Sequence, residues 1–204
     1  HQIADFGGRA LLASIDPRPG GLLWQRFGPG CEDNLKPWQK NILSYLNPGG
    51  KRITWLEKPI VVEHLEVIPQ QARMHSAPTF RHLAALSLLQ TKLSEEPSID
   101  FLYVSRSRFA ACCTQQTMLG AFAAELEFER LLYEAGVWIL HPQEFTLEQQ
   151  LNFYRSAQCI IVAEGSAQHG LELLGFDDQK DVLVICRRFQ NEGMELPLKA
   201  RFPR

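Results

Sequence analysis

In the second half of the chain, apolar residues fall into short unbroken runs separated by stretches with helical spacing. Phe101-Leu102-Tyr103-Val104, Val137-Trp138-Ile139-Leu140, Cys159-Ile160-Ile161-Val162 and Val182-Leu183-Val184-Ile185-Cys186 are apolar at every position. Strands covered on both faces read this way, whereas one-sided strands alternate. From Thr117 to Glu134, Leu119, Phe122, Leu126, Glu129 and Tyr133 recur at helical spacing, and Gly136 stops the helix. Thr146 ahead of Glu148 and Gln149 marks a second helix start, with Leu147, Leu151 and Tyr154 as its inner face. Ser166 to Leu174 reads as a short helix and the tail beyond Gln190 as irregular. Apolar strands alternating with helices predict an α/β unit with a mainly parallel sheet, Rossmann-like, whose strand order the pattern does not specify.

The first half is less regular but also alternates. Ile3 to Ser14, Leu35 to Leu46 (Pro37 in its first turn) and Phe80 to Leu93 read as helices. Gly21 to Gln25, Arg52 to Leu56 and Ile60-Val61-Val62 read as strands. Ser94-Glu95-Glu96-Pro97-Ser98 is the expected linker, which divides the chain into units 1–96 and 97–204. The expected architecture is two small α/β units facing a cleft, a common place for a ligand.

Composition narrows the classes. With 45% hydrophobic and 22% charged residues the chain is globular, and a net charge of −2 gives no reason to expect nucleic acid as a partner. No apolar run reaches the roughly 20 residues of a membrane helix. The five cysteines, Cys31, Cys112, Cys113, Cys159 and Cys186, show no CxxC spacing. Cys159 and Cys186 fall in predicted buried strands, which favours a reducing compartment over disulfides or structural zinc. The chain starts at His1 and is read as a fragment or processed product whose first unit is cut short.

Candidate chemistry gathers where the strands of the second half end. In an open parallel sheet, ligands bind at the carboxyl ends of the strands. Ile160-Ile161-Val162-Ala163 delivers the chain to Glu164-Gly165-Ser166, and a helix start there offers unpaired N–H groups to an anion. Gly165 permits close approach, Ser166 can cap the helix or bind an oxygen, and His169 falls one turn in. A plain capped strand–helix connection accounts for the same residues. Arg106 and Arg108 follow the Phe101–Val104 strand at the same edge, and an arginine fork matches phosphate oxygens. Neither a GxGxxG nor a GxxxxGK[ST] fingerprint is present.

The ordered succession Ser105-Arg106, Glu125, Gly136 to Glu144, Glu148-Gln149 and Gly165 to His169 resembles glycosyltransferase family 61, including bacterial members from capsule and cell-surface polysaccharide clusters. In that family a strand ends in Ser-Arg, and a helix opens with Asn-Glu. A Gly-Phe strand then leads to a His-Pro-Glu turn and a further helix, and a last strand runs into G-[SA]-A-x-H or H-G-A. The resemblance covers roughly residues 101–175. His1 to Asp5 through Arg9 is similar to a His-led helix of the family, and Leu35 to Gln39 with Ile42-Leu43 to a segment of its bacterial members.

The resemblance implies an inverting glycosyltransferase of GT-B type that moves a sugar from a nucleotide-diphosphate donor to a glycan hydroxyl. It implies neither a metal nor another cofactor, with the donor held mainly by the C-terminal unit. Arg106, and secondarily Arg108, are then expected on the diphosphate. Gly165, Ser166, Ala167 and His169 are expected as its cradle, and Glu125 on a ribose hydroxyl or orienting an arginine. Asp5 and His1 are the candidates for the base that takes the acceptor proton. The expected setting is cytoplasmic, peripheral to an inner membrane beside a polysaccharide assembly system, with the oligomeric state unread. One departure stands out: Gly120-Ala121-Phe122-Ala123-Ala124-Glu125 lacks the basic residues and the asparagine that open the family's helix. It keeps open a degenerate, non-catalytic binding or assembly module, and an unrelated nucleotide-binding α/β protein is the third class.

Overall fold

The computed structural model describes residues 7–25, 35–56, 58–73, 75–90, 97–111, 122–187 and 194–204. The chain divides into two compact units, His1–Arg73 and Met74–Arg204. Both are α/β with parallel strands.

In the first unit, helix α1 (Gly8–Ile15) and strand β1 (Leu22–Gln25) are followed by helix α2 (Pro37–Tyr45) and strand β2 (Ile53–Leu56). The two strands pair in parallel with Trp24 opposite Trp55, their rings 6.1 Å apart. Pro37 opens α2, where its missing N–H would have had no intrahelical acceptor. Leu11, Leu12, Ile42, Leu43 and Leu46 form the core. The strand expected at Ile60-Val61-Val62 is absent: these residues have no regular structure, and Val61 is 98% exposed. A β-branched run forms a strand only when a neighbouring strand supplies its hydrogen bonds and covers a face.

The second unit begins with helix α3 (Phe80–Gln90), which the sequence pattern places before the boundary at 96/97. Distant parts of the second unit hold this helix: Arg155 Nη1 donates to Gln90 O at 3.1 Å, and Gly175 N to Gln90 Oε1 at 3.1 Å. A Cβ at Gly175 would stand 2.1 Å from Ser87 Oγ, so only glycine permits this approach. Then come β3 (Ile99–Val104), α4 (Ser107–Ala111), α5 (Glu125–Glu134), β4 (Trp138–Leu140), α6 (Leu147–Ser156), β5 (Ala157–Ala163), a 3₁₀ helix (Ser166–Leu173), β6 (Asp181–Ile185) and α7 (Glu195–Lys199). The strands form one parallel sheet ordered β4-β3-β5-β6, with Val104 opposite both Leu140 and Val162. From β3 the chain goes first to one side, into β4, and then to the other, into β5. The carboxyl ends of β3 and β5, neighbours in the sheet, therefore form the switch point where such sheets take ligands.

Local signals place α6 well: Thr146 Oγ1 accepts from Gln149 N, and Gln149 Oε1 accepts from Thr146 N. Three expectations need correction. First, α5 turns a different face inward. Leu126 and Tyr133 are 71% and 74% exposed, while Glu125 is buried because hydrogen-bond donors await its carboxylate at the end of β3. Second, Cys186 is exposed rather than buried, since it lies just beyond the last paired residue of the edge strand β6. Third, the tail is ordered around α7, whose Leu198 is buried together with Arg201 and Phe202.

His82 on α3 is buried, and desolvation, followed by the nearby Arg201 cation, holds its imidazole down at about 4. Its folded value lies below the ordinary 6.5, so on acidification the unfolded chain takes up the proton first. The contribution is complete above pH 6.5 and is lost as pH falls towards 4, amounting to about 3 kcal/mol. Urea midpoints of the wild type should drop more steeply than those of His82→Leu between pH 7 and 4.5. Parallel profiles would show that His82 is not the group responsible.

Candidate functional site

Two loops meet at the switch point. Tyr103 is fully buried, and its hydroxyl donates to Glu125 Oε1 at 2.8 Å. Burial, reinforced by that carboxylate, pushes the phenol well above its usual range and keeps it a donor. Arg106 N donates to the same oxygen, also at 2.8 Å. Glu125 therefore fixes the chain as it leaves β3. One turn along α5, Glu129 Oε1 accepts from Ser105 Oγ, and Ser105 Oγ in turn accepts from Ser107 N at 3.0 Å. The phenol ring is braced edge-on by Phe128, 5.3 Å between centroids. So supported, the Arg106 guanidinium lies over the Phe109 ring at 4.4 Å, and its Nη1 donates to Ser166 Oγ at 2.7 Å.

Ser166 comes from the loop after β5. Gly165 has φ 143° and ψ −164°, a region that only glycine populates readily, which gives the glycine its backbone reason. The following helix is 3₁₀ rather than α; it opens at Ser166 and Ala167, whose N–H groups lie before the first intrahelical bond. Gly165 N donates to Gln168 Oε1 at 3.2 Å, and Gln168 N to Gly165 O at 3.1 Å. His169 is part-buried, its Nδ1 2.5 Å from Oε1 of the buried Glu172. That contact commits Nδ1, so only Nε2 remains for a ligand: an acceptor in the neutral ring, a donor in the imidazolium.

The structure thus joins Arg106, Glu125 and Ser166 by direct or shared contacts, with Gly165, Ala167 and His169 on the same turn. Arg108 is engaged elsewhere, in an exposed ion pair at 2.5 Å with Glu144; such pairs contribute little to stability. His1 and Asp5 lie outside the described residues. Among the described residues, no three His, Cys, Asp or Glu side chains form a metal-binding group, and no helix is long and apolar enough to cross a membrane.

Sequence reasoning missed three contributors. His141, at the carboxyl end of β4, is buried with no partner for Nδ1 among the described residues. Gln168 Nε2 is likewise buried and unpartnered among the described residues, as is Oε2 of the already expected Glu125. Arg187, just past β6, holds the turn from the far side: its N donates to Glu164 Oε2 at 3.1 Å and its Nε to Glu164 O at 2.7 Å. For His141 and Arg187 the position after a strand was the available signal, and its value depended on the strand order.

Comparison with known proteins agrees with the motif succession. The Glycosyltransferase 61 family model matches residues 1–173, which take in β3 to β5 and the Gly165 turn but stop short of β6. No curated protein and no solved structure gave a match. With most of its length accounted for by that match, the chain belongs to glycosyltransferase family 61.

Proposed function

We propose that the chain is an inverting glycosyltransferase that uses a nucleotide-diphosphate sugar and needs no bound metal. The observation that carries this reading is the 2.7 Å contact between Arg106 and Ser166 across the switch point. When the acceptor oxygen bonds to the anomeric carbon, the bond from that carbon to the diphosphate breaks, and its electron pair leaves with the diphosphate. The charge that develops there calls for prearranged donors. Arg106 and the amides of Ser166 and Ala167 are such donors, and His169 stands on the same turn with Nδ1 committed to Glu172 and Nε2 left for the ligand. Glu125 Oε2, unpartnered among the described residues, is suited to accept from a ribose hydroxyl. Asp5 and His1 remain the candidates for taking the acceptor's proton. The acceptor is a glycan or related hydroxyl, and the setting that fits is cytoplasmic-side assembly of a cell-surface polysaccharide.

One observation favours a second reading, a degenerate relative that binds without turnover. Ala124 sits at φ 61°, where a non-glycine residue other than asparagine or aspartate is disfavoured. In the family pattern that position is the asparagine of the Asn-Glu pair, a residue that tolerates this conformation better than alanine does.

A thermal-shift panel of nucleotide sugars tests both. A donor at about a hundred times its dissociation constant stabilises the fold by about 2.7 kcal/mol, a rise of roughly 5–10 °C for a unit of this size. A shift together with sugar transfer to an acceptor and release of nucleoside diphosphate supports the enzyme. A shift with no release under any acceptor supports the binding module, and no shift with any donor defeats both.

A further inference from the structure

The Glu164–Gly165 peptide is gripped at both ends. Its carbonyl accepts from Arg187 Nε, and its N–H donates to Gln168 Oε1. A trans peptide points these groups in opposite directions, so the two side chains fix its plane. The Gly165 N–H also settles which way the Gln168 amide faces, because only its oxygen can accept. The Nε2 group therefore sits at the turn as a donor; Gln168 is 1% exposed, and Nε2 has no acceptor among the described residues. Buried donors are rarely left so, and this one lies beside the turn already read as binding an anion.

Charge poses a second problem. Glu164, buried at 3% exposure, places a carboxylate beneath the turn, a poor neighbour for a phosphate. Arg187 is hydrogen-bonded to Glu164 by both main chain and side chain, so its guanidinium lies where it offsets that carboxylate. Arg106 approaches from the β3 side and Arg187 from the β6 side, and β5 lies between those two strands.

We propose that Gln168 and Arg187 complete an oxyanion cradle at the Glu164–Ser166 turn. Gln168 supplies a further donor to a phosphate oxygen, and Arg187 supplies the counter-charge that lets the turn accept an anion. The proposal rests on the diphosphate reading given above, and Arg187 lies beyond the stretch matched to the family.

Calorimetric titration with inorganic pyrophosphate, on the full chain, is the test. In Gln168→Glu a carboxylate oxygen can still accept from Gly165 N–H, so the turn persists while a donor becomes a repelling acceptor; affinity should fall about 100-fold. Arg187→Gln should lose about 30-fold and Arg187→Lys, which keeps the charge, less than about fivefold. Adding Glu164→Gln to Arg187→Gln should recover about tenfold, since the uncompensated charge is then gone. A mere structural clamp would show no such recovery, and its absence would overturn the role given to Arg187. If Gln168→Glu and Arg187→Gln bind as the wild type does while Arg106→Ala does not, the cradle is wrong and the diphosphate site stands. If Arg106→Ala also binds normally, or the wild type does not bind pyrophosphate, the site reading itself fails.

Discussion

Replacing Arg201 by methionine is expected to lower the stability of the second unit by roughly 4 kcal/mol or more, enough to leave a marginal domain largely unfolded. Arg201 is 1% exposed, and each part of its guanidinium has an acceptor. Nε donates to Leu174 O at 3.1 Å, Nη1 to Pro197 O at 2.8 Å and Nη2 to Glu172 O at 3.0 Å. Burial pushes the group down to about 10, opposed by Glu172, so it remains a cation at neutral pH. Methionine restores much of the volume but leaves three buried carbonyls without a donor, and each charge-assisted bond lost costs about 1.5–3 kcal/mol. The carbonyls at 172 and 174 lie at the end of the 3₁₀ helix that carries Ser166 and His169. Damage there should therefore reach the candidate site before the sheet. Lysine keeps the charge as a single point and cannot span all three acceptors, so Arg201→Lys should cost less but remain measurable. Urea denaturation followed by circular dichroism reads both. A loss below about 1 kcal/mol for Arg201→Met would mean that water replaces the guanidinium and that the residue is not a keystone.

Arg106→Ala should leave the fold intact and weaken nucleoside diphosphate binding by about 10- to 150-fold, the range for one charge-assisted contact. The side chain is partly exposed, and its main-chain bond to Glu125 survives the change, so the turn after β3 should hold. If the contact strengthens as the diphosphate departs, kcat falls as well as affinity; if it is equally strong before and during departure, only KM rises. Ser166→Ala is the control: it removes the hydroxyl that holds Arg106 but leaves the guanidinium and the main-chain amides, so a loss of only a few-fold is expected. Titrations at matched melting temperatures separate the two. Should Ser166→Ala prove as damaging as Arg106→Ala, the pair works as a structural tie and not as a ligand site.

Much of the candidate site could be read in advance because strand ends and turn residues are local features. Gly165 announces its own backbone requirement, and Thr146 with Gln149 announces a helix start. Ser105-Arg106 follows an unbroken apolar run that ends at Val104. Where local cues misled, a distant partner had intervened. On α5, apolar spacing favoured Leu126 and Tyr133, yet Glu125 went inside because Tyr103 OH and Arg106 N both donate to its Oε1, and such bonds offset part of the cost of burying a carboxylate. Likewise, nothing near Gln90 in the chain reveals that Arg155 and Gly175 will bond to it, which is why α3 joins the second unit.

Alternation of apolar runs with helical spacing was enough to establish parallel α/β architecture, and the motif order was enough to suggest the family. An apolar run and the backbone demands of a turn are encoded within a few residues, but cover on both faces is not: on the edge strands β4 and β6, Trp138 and Leu183 are 53% and 55% exposed. Strand order was decided only in three dimensions, and with it which strand ends became neighbours. That adjacency put Arg106 against Ser166, 60 positions apart, and Arg187 against Glu164, 23 apart. Hydrogen bonds and charge pairing act over a few ångströms in space and are indifferent to separation along the chain, so these pairings had no local trace to read.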